Sequence, residues 1–171
     1  RSSFGRSEIE IVAVNDLTTP ENIAYLLKYD SVYGRAPFSV SAEQGALVVD
    51  GKRVPVLAER EPSKLPWKDM NVDIVIESTG FFTDAEKARA HIDAGARHVI
   101  ISAPAKGVGA DTILIGANED KFGANQITSN ASCTTNAASP LIGVLEEAIG
   151  IERALLNTTH AYTATQAIVD A

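Results

Sequence analysis

Between residues 72 and 102 the hydrophobic period changes from strand to helix and back to strand. Val72-Asp73-Ile74-Val75-Ile76-Glu77 is an apolar run of strand length, and Ser78-Thr79-Gly80 leads out of it. Residues 84–94 read as a helix, Gly95 stops it, and His98-Val99-Ile100-Ile101-Ser102 is strand-like again. This is a β-α-β unit. It predicts a parallel sheet with helices on both faces, in which ligands bind beyond the carboxyl ends of the strands.

The flanking segments extend the alternation. Ile9 to Val14 reads as a strand ending at Asn15-Asp16, and Thr19-Pro20-Glu21 opens a helix through Leu27, with proline in its first turn. Ala46-Leu47-Val48-Val49 and Lys52-Arg53-Val54-Pro55-Val56, joined by Asp50-Gly51, read as a β-hairpin, because Asp-Gly tolerates the positive φ of a tight turn. Polar residues follow three of the strands: Asn15-Asp16, Ser78-Thr79-Gly80 and Ser102-Ala103-Pro104. Each alone would be an ordinary turn or cap, but together they favour a nucleotide site. Asp16 is the most specific, since an acid closing the second strand of a dinucleotide fold accepts hydrogen bonds from the adenosine ribose and repels a 2′-phosphate. It points to NAD rather than NADP. The chain holds no G-x-G-x-x-G turn to contact the pyrophosphate.

Net charge of −7 argues against nonspecific nucleic-acid binding, which needs lysine and arginine to neutralise phosphates. No basic-then-apolar leader and no apolar run of membrane length is evident, and one cysteine forms no intramolecular disulfide. A cytoplasmic protein without membrane or nucleic-acid partners is expected, and no metal is assigned.

The single cysteine, Cys133, lies in Ser129-Asn130-Ala131-Ser132-Cys133-Thr134-Thr135-Asn136, where the extended Gln126-Ile127-Thr128 gives way to a helical run from Thr135 to Ile149. A lone cysteine can be a small buried hydrophobe. Here hydroxyl and amide side chains (Asn130, Ser132, Thr134, Thr135, Asn136) flank it, a poor lining for an apolar core and a suitable one for a polar substrate. A thiol at a helix N-terminus faces unpaired N–H groups and the positive end of the dipole, which favour the thiolate.

The octapeptide closely resembles the active-site signature of phosphorylating glyceraldehyde-3-phosphate dehydrogenases. Thr158-Thr159-His160-Ala161-Tyr162-Thr163-Ala164-Thr165-Gln166 resembles the family's histidine segment. The resemblance runs through essentially the whole chain but covers about half of a family-length protein, from inside the first helix to just past the catalytic histidine. It implies an internal fragment: a Rossmann-type doubly wound parallel sheet without its first strand and Gly-rich loop, plus the beginning of an α+β catalytic domain. Residues 1–131 would be the NAD-binding domain and 132–171 the start of the catalytic domain, with Ala154 to Tyr162 as its opening strand.

The resemblance also assigns roles. Cys133 would be the nucleophile and His160 its acid–base partner, forming a hemithioacetal and then a thioester that inorganic phosphate cleaves to 1,3-bisphosphoglycerate. Ser132, Thr134 and Thr163 would bind the anions. Asn15, Asp16, Arg60, Ser78, Thr79, Gly80, Phe82 and Ser102 would contact NAD. His91 and His98, away from any nucleophile, are expected to make structural hydrogen bonds. Many relatives carry a second cysteine where Ala137 stands here. The assembly implied is a homotetramer. The alternatives are an erythrose-4-phosphate dehydrogenase on the same scaffold, and a noncatalytic binding or redox-sensing protein.

Overall fold

The structure, a computed structural model, describes residues 1–3 and 5–162. They form two compact units, residues 1–76 with 86–99, and residues 77–85 with the chain from 100 onward.

In the first unit, β1 (Val14–Asn15) leads to α1 (Pro20–Lys28), a two-stranded ribbon of β2 (Tyr29–Asp30) and β3 (Gly34–Arg35), and then β4 (Val40–Glu43), β5 (Ala46–Val49) and β6 (Lys52–Leu57). A four-stranded sheet has the order β1-β6-β5-β4. The helix begins where expected: Thr19 caps it by accepting a hydrogen bond from Asn22 N–H, and Pro20 sits in the first turn, where its missing donor costs nothing. The hairpin also forms as read. Asp50 (φ 46°) and Gly51 (φ 81°) make the two-residue turn and set Val49 opposite Lys52. Its apolar face packs Val40, Leu47, Val49 and Val54 with Ala24 of α1 into a buried cluster.

The ladder of β1 is shorter than the apolar run of residues 9–14, and Pro55 explains why. Val56 N–H donates to Gly45 O on the β5 side, whereas Leu57 O accepts from Asp16 N–H on the β1 side. Alternation along the strand therefore turns position 55 toward β1, where proline has no N–H to offer. Only Val14 and Asn15 pair, with Val56 and Leu57. The register nonetheless continues outward in the side chains: Lys52 Nζ meets Glu10 Oε1 at 2.6 Å, four positions before the Val14–Val56 pair on each strand.

The β-α-β unit consists of β7 (Ile74–Glu77), α2 (Ala85–Asp93) and β8 (His98–Ile101). His98 N–H donates to Asp73 O and Ser102 N–H to Glu77 O. Both partners advance together by four residues, which is the signature of parallel neighbours. With β9 (Asp111–Thr112) and β10 (Ile127–Ser129), the sheet order is β7-β8-β10-β9, and β10 runs parallel to β9. The α/β, Rossmann-type architecture is thus present. α3 (Cys133–Ile149) follows β10. Residues 154–162 are not in a strand, so the opening strand read there makes no ladder among the described residues.

The two structural histidines fall on α2 and β8. His91 is buried, and its Nδ1 accepts from the indole Nε1–H of Trp67 at 3.1 Å. Behind it, Gly95 adopts φ 108°, and a Cβ built there would lie 2.4 Å from Lys68 Cβ. The helix stop is therefore required by both backbone conformation and space. Gly95→Ala is expected to lower the unfolding free energy by roughly 2–4 kcal/mol, from left-handed strain plus overpacking. Denaturant unfolding measures this, and a loss below about 1 kcal/mol would mean that the Lys68 backbone yields freely.

Candidate active site

The site in the second unit is built from the end of β10 upward. Ser129 is buried, and its Oγ donates to Ala103 O at 2.7 Å while accepting from Ala105 N–H and Ala131 N–H at 3.2 and 3.0 Å. One hydroxyl thus ties the loop after β8 to the loop that precedes the cysteine. Ala131 takes φ 58°, a left-handed conformation that costs an alanine about 1 kcal/mol and turns the chain from strand into helix. Ser132 is the cap of α3: its Oγ accepts from Thr135 N–H at 3.0 Å and shares a 2.7 Å hydrogen bond with Thr135 Oγ1. Asn136 closes the turn, donating from Nδ2 to Asn130 O at 2.6 Å and to Ser132 O at 2.9 Å.

Cys133 is consequently the first residue of α3, two positions before the helical start read from sequence, and it is exposed. Its Sγ lies 2.9 Å from His160 Nε2. His160 Nδ1 lies 2.6 Å from Ala161 O. A carbonyl oxygen only accepts, so Nδ1 carries a proton and Nε2 is left to face the sulfur. The proton between them then belongs to a thiol–imidazole or a thiolate–imidazolium pair. The hydrogen bond to His160 lowers the Cys133 pKa below that of a free thiol, and the Thr134 N–H and side chain add smaller contributions in the same sense. Reciprocally, the bond to Cys133 raises the His160 pKa above that of a free imidazole, with the Ala161 carbonyl assisting. Both shifts favour the ion pair.

The other candidate residues divide between the two units. In the first, Asn15 brackets Glu59, donating from Nδ2 to Glu59 O and accepting from Glu59 N–H through Oδ1, both at 3.0 Å. Arg60 follows directly and is exposed. Asp16 Oδ1 accepts from Thr18 N–H at 2.9 Å, which orients an exposed carboxylate at the carboxyl end of β1. In the second unit, Ser78, Thr79, Gly80 and Ser102 are exposed at the ends of β7 and β8, and Phe82 is half-buried. Thr163 lies outside the described residues. Within the second unit, the exposed hydroxyls of Ser78, Thr79 and Ser102 lie beyond the carboxyl ends of two neighbouring parallel strands, the place where such sheets receive ligands.

Three contributors were missed from sequence: Ser129, Asn136 as a clamp on the loop backbone, and Glu77, whose buried carboxylate holds Thr79. The available signal was positional, since each is a polar residue just at or beyond a strand end or helix start, where backbone groups lose their ladder partners.

Comparison with known proteins gives a consistent result. Residues 1–85 match the family model described as glyceraldehyde 3-phosphate dehydrogenase, NAD binding domain, and residues 132–171 match that of the C-terminal domain of the same enzyme. The chain is 52% identical over 164 residues to a glyceraldehyde-3-phosphate dehydrogenase of Thermotoga maritima, covering 95% of this chain and 49% of the relative. It is 51% identical over 172 residues to that of Geobacillus stearothermophilus and 46% identical over 172 residues to the cytosolic one of Trypanosoma brucei brucei, covering in each case 99% of this chain and 51% of the relative. The chain spans about half the length of the curated relatives it matches.

The Cys133–His160 contact makes a directional prediction. A lowered thiol pKa keeps the thiolate populated at pH values where free cysteine is protonated, and removing the imidazole moves the titration upward. Iodoacetate alkylation of Cys133 in His160→Asn is expected to slow on the order of tenfold at neutral pH, with its pH profile shifted to higher pH. An unshifted profile would show that His160 does not hold the thiolate.

Proposed function

The chain belongs to the glyceraldehyde 3-phosphate dehydrogenase family, and on that premise we propose that the protein oxidises glyceraldehyde 3-phosphate to 1,3-bisphosphoglycerate with NAD and inorganic phosphate. The observation that carries this reading is the 2.9 Å approach of His160 Nε2 to Cys133 Sγ at the first turn of α3. A thiolate held there is a nucleophile exposed to substrate, and its partner can both give and take a proton.

Cys133 Sγ adds to the aldehyde carbon, forming the C–S bond as the C=O π bond opens, and the oxygen takes the proton of the His160 imidazolium to become the hydroxyl of a hemithioacetal. His160 Nε2 takes that hydroxyl proton as the carbon is oxidised to the thioester. The chemistry that NAD supplies when bound is acceptance of the hydride released from that carbon. A phosphate oxygen then attacks the thioester carbonyl, the C–S bond breaks, and sulfur departs as thiolate beside the His160 imidazolium. The N–H and hydroxyl of Thr134, which already favour the Cys133 thiolate, are suited to the negative charge that develops here. Ser132 is already engaged in the helix cap, so its contribution to an anion is through a shared hydroxyl.

Asn15, Asp16, Arg60, Ser78, Thr79, Gly80, Phe82 and Ser102 would hold the cofactor, with Asp16 on the adenosine ribose. Thr163 would join Thr134 on an anion. The same reading assigns residues 1–131 to NAD binding and the chain from 132 to the catalytic domain, in a cytoplasmic homotetramer. No helix among the described residues is long and apolar enough to cross a membrane.

Cys133→Ser is the direct test. In the full-length protein it is expected to cut NADH formation from glyceraldehyde 3-phosphate, NAD and phosphate on the order of a thousandfold or more, because a hydroxyl beside the same imidazole is far less ionised. Equal turnover in the variant would remove Cys133 as the nucleophile.

A further inference from the structure

Glu77, a carboxylate, ends β7 and is only 4% exposed, at the point where the strand gives way to the turn of residues 78–80. Its Oε1 accepts from Thr79 N–H at 2.7 Å and also from the Thr79 hydroxyl. Thr79 Oγ1 in turn accepts from Phe81 N–H at 3.1 Å. These bonds fix the direction of the chain of donors. The hydroxyl has one proton, which goes to the carboxylate, while its lone pair takes the amide of Phe81. The Glu77 backbone is held as well, its carbonyl accepting from Ser102 N–H at 3.0 Å. Gly80 stands inside this turn at φ 78°, with open space around the position of a Cβ. It is the bent backbone that calls for glycine there, and the bend is what the Glu77–Thr79–Phe81 relay maintains.

Burying a carboxylate is unfavourable unless it is hydrogen-bonded, and bonds to an ionised acceptor are stronger than neutral ones. A surface turn could be held by a serine or an asparagine. A buried carboxyl group accepting two hydrogen bonds instead gives the turn a rigid anchor, leaving Ser78, Thr79 and Gly80 exposed along its outer edge. We infer that Glu77 is the positioning residue of the cofactor loop. Its carboxylate, acting through the Thr79 hydroxyl, holds residues 78–82 in the conformation that receives NAD, and that hydroxyl serves the loop and does not donate to the nucleotide. This rests on the functional reading above, in which the same loop contacts NAD.

The test is NAD affinity by titration calorimetry on the full-length protein, with thermal stability and the Cys133 alkylation rate measured alongside. Glu77→Ala is expected to weaken NAD binding about tenfold, whereas Glu77→Gln, which keeps an acceptor oxygen, recovers most of it. Thr79→Val should lose as much as Glu77→Ala, and the double variant no more than either alone, because both break one relay. In Glu77→Ala, KM for NAD should rise while kcat at saturating NAD and the alkylation rate stay within about twofold of wild type. Lowered stability with unchanged NAD affinity in Glu77→Ala would overturn the inference, as would a Glu77→Gln variant as weak as Glu77→Ala. Should Glu77→Ala fail to fold, two conservative variants decide: Glu77→Asp, one methylene too short to reach Thr79, is expected to weaken NAD binding and Glu77→Gln to keep most of it, and wild-type affinity in both overturns the inference. A wild-type protein that binds no NAD would overturn the functional reading, and this inference with it.

Discussion

The hydrogen bond from Thr135 N–H to Ser132 Oγ decides where α3 begins, and the chemistry of the second unit follows from that position. Ser132 is still extended, at φ −92° and ψ 160°, so Cys133 is the first helical residue and its sulfur stands beside amides that have no intrahelical partner. A helix starting at Thr135 instead would leave the cysteine in the preceding loop. Two residues are about 200° of helical rotation, so the sulfur would also face a different direction. Asn136 guards the arrangement from the other side, because its amide bonds to the Asn130 and Ser132 carbonyls.

Such a turn is crowded with backbone groups that neither the sheet nor the helix can satisfy. Ser129 answers three of them with one oxygen, linking Ala103, Ala105 and Ala131. The left-handed Ala131 is tolerable within that network, since its own N–H is one of the bonded groups. Rigidity of this kind matters for an exposed thiolate. The imidazole that stabilises it approaches to 2.9 Å from a segment without ladder bonds, so the fixed member of the pair is the sulfur. Pre-setting one partner reduces the ordering entropy of the contact.

What was legible in the sequence was what local chemistry determines. Asp50-Gly51 sets the hairpin register, Thr19-Pro20 starts α1, and Gly95 ends the helical segment, each through the conformations open to those residues. β4 was not read, because Val40-Ser41-Ala42-Glu43 offers only two apolar positions and acquires its strand character from β5 beside it. The truncation of β1 was hidden for a related reason: the proline responsible lies on β6, some forty positions away. Cys133 and His160 were recognisable by their motifs, but their distance depends on tertiary placement that no local pattern encodes. Thr163 stays an expectation outside the described residues.

Asp16 and Glu77 show how burial separates two uses of one device. Each carboxylate closes a strand and accepts the N–H of the residue two positions on, Thr18 at 2.9 Å and Thr79 at 2.7 Å. Both bonds stiffen a strand-to-loop turn in the same way. Asp16 is exposed, so the oriented carboxylate remains available to an external hydroxyl. Glu77 is buried and also takes the Thr79 hydroxyl, so its capacity is directed into the protein. A sequence scan that weighs acidic residues by their place after a strand treats the two alike. Solvent access is what leaves Asp16 open to an external partner and encloses Glu77, and it is set by the packing around each strand end and not by the residues beside it.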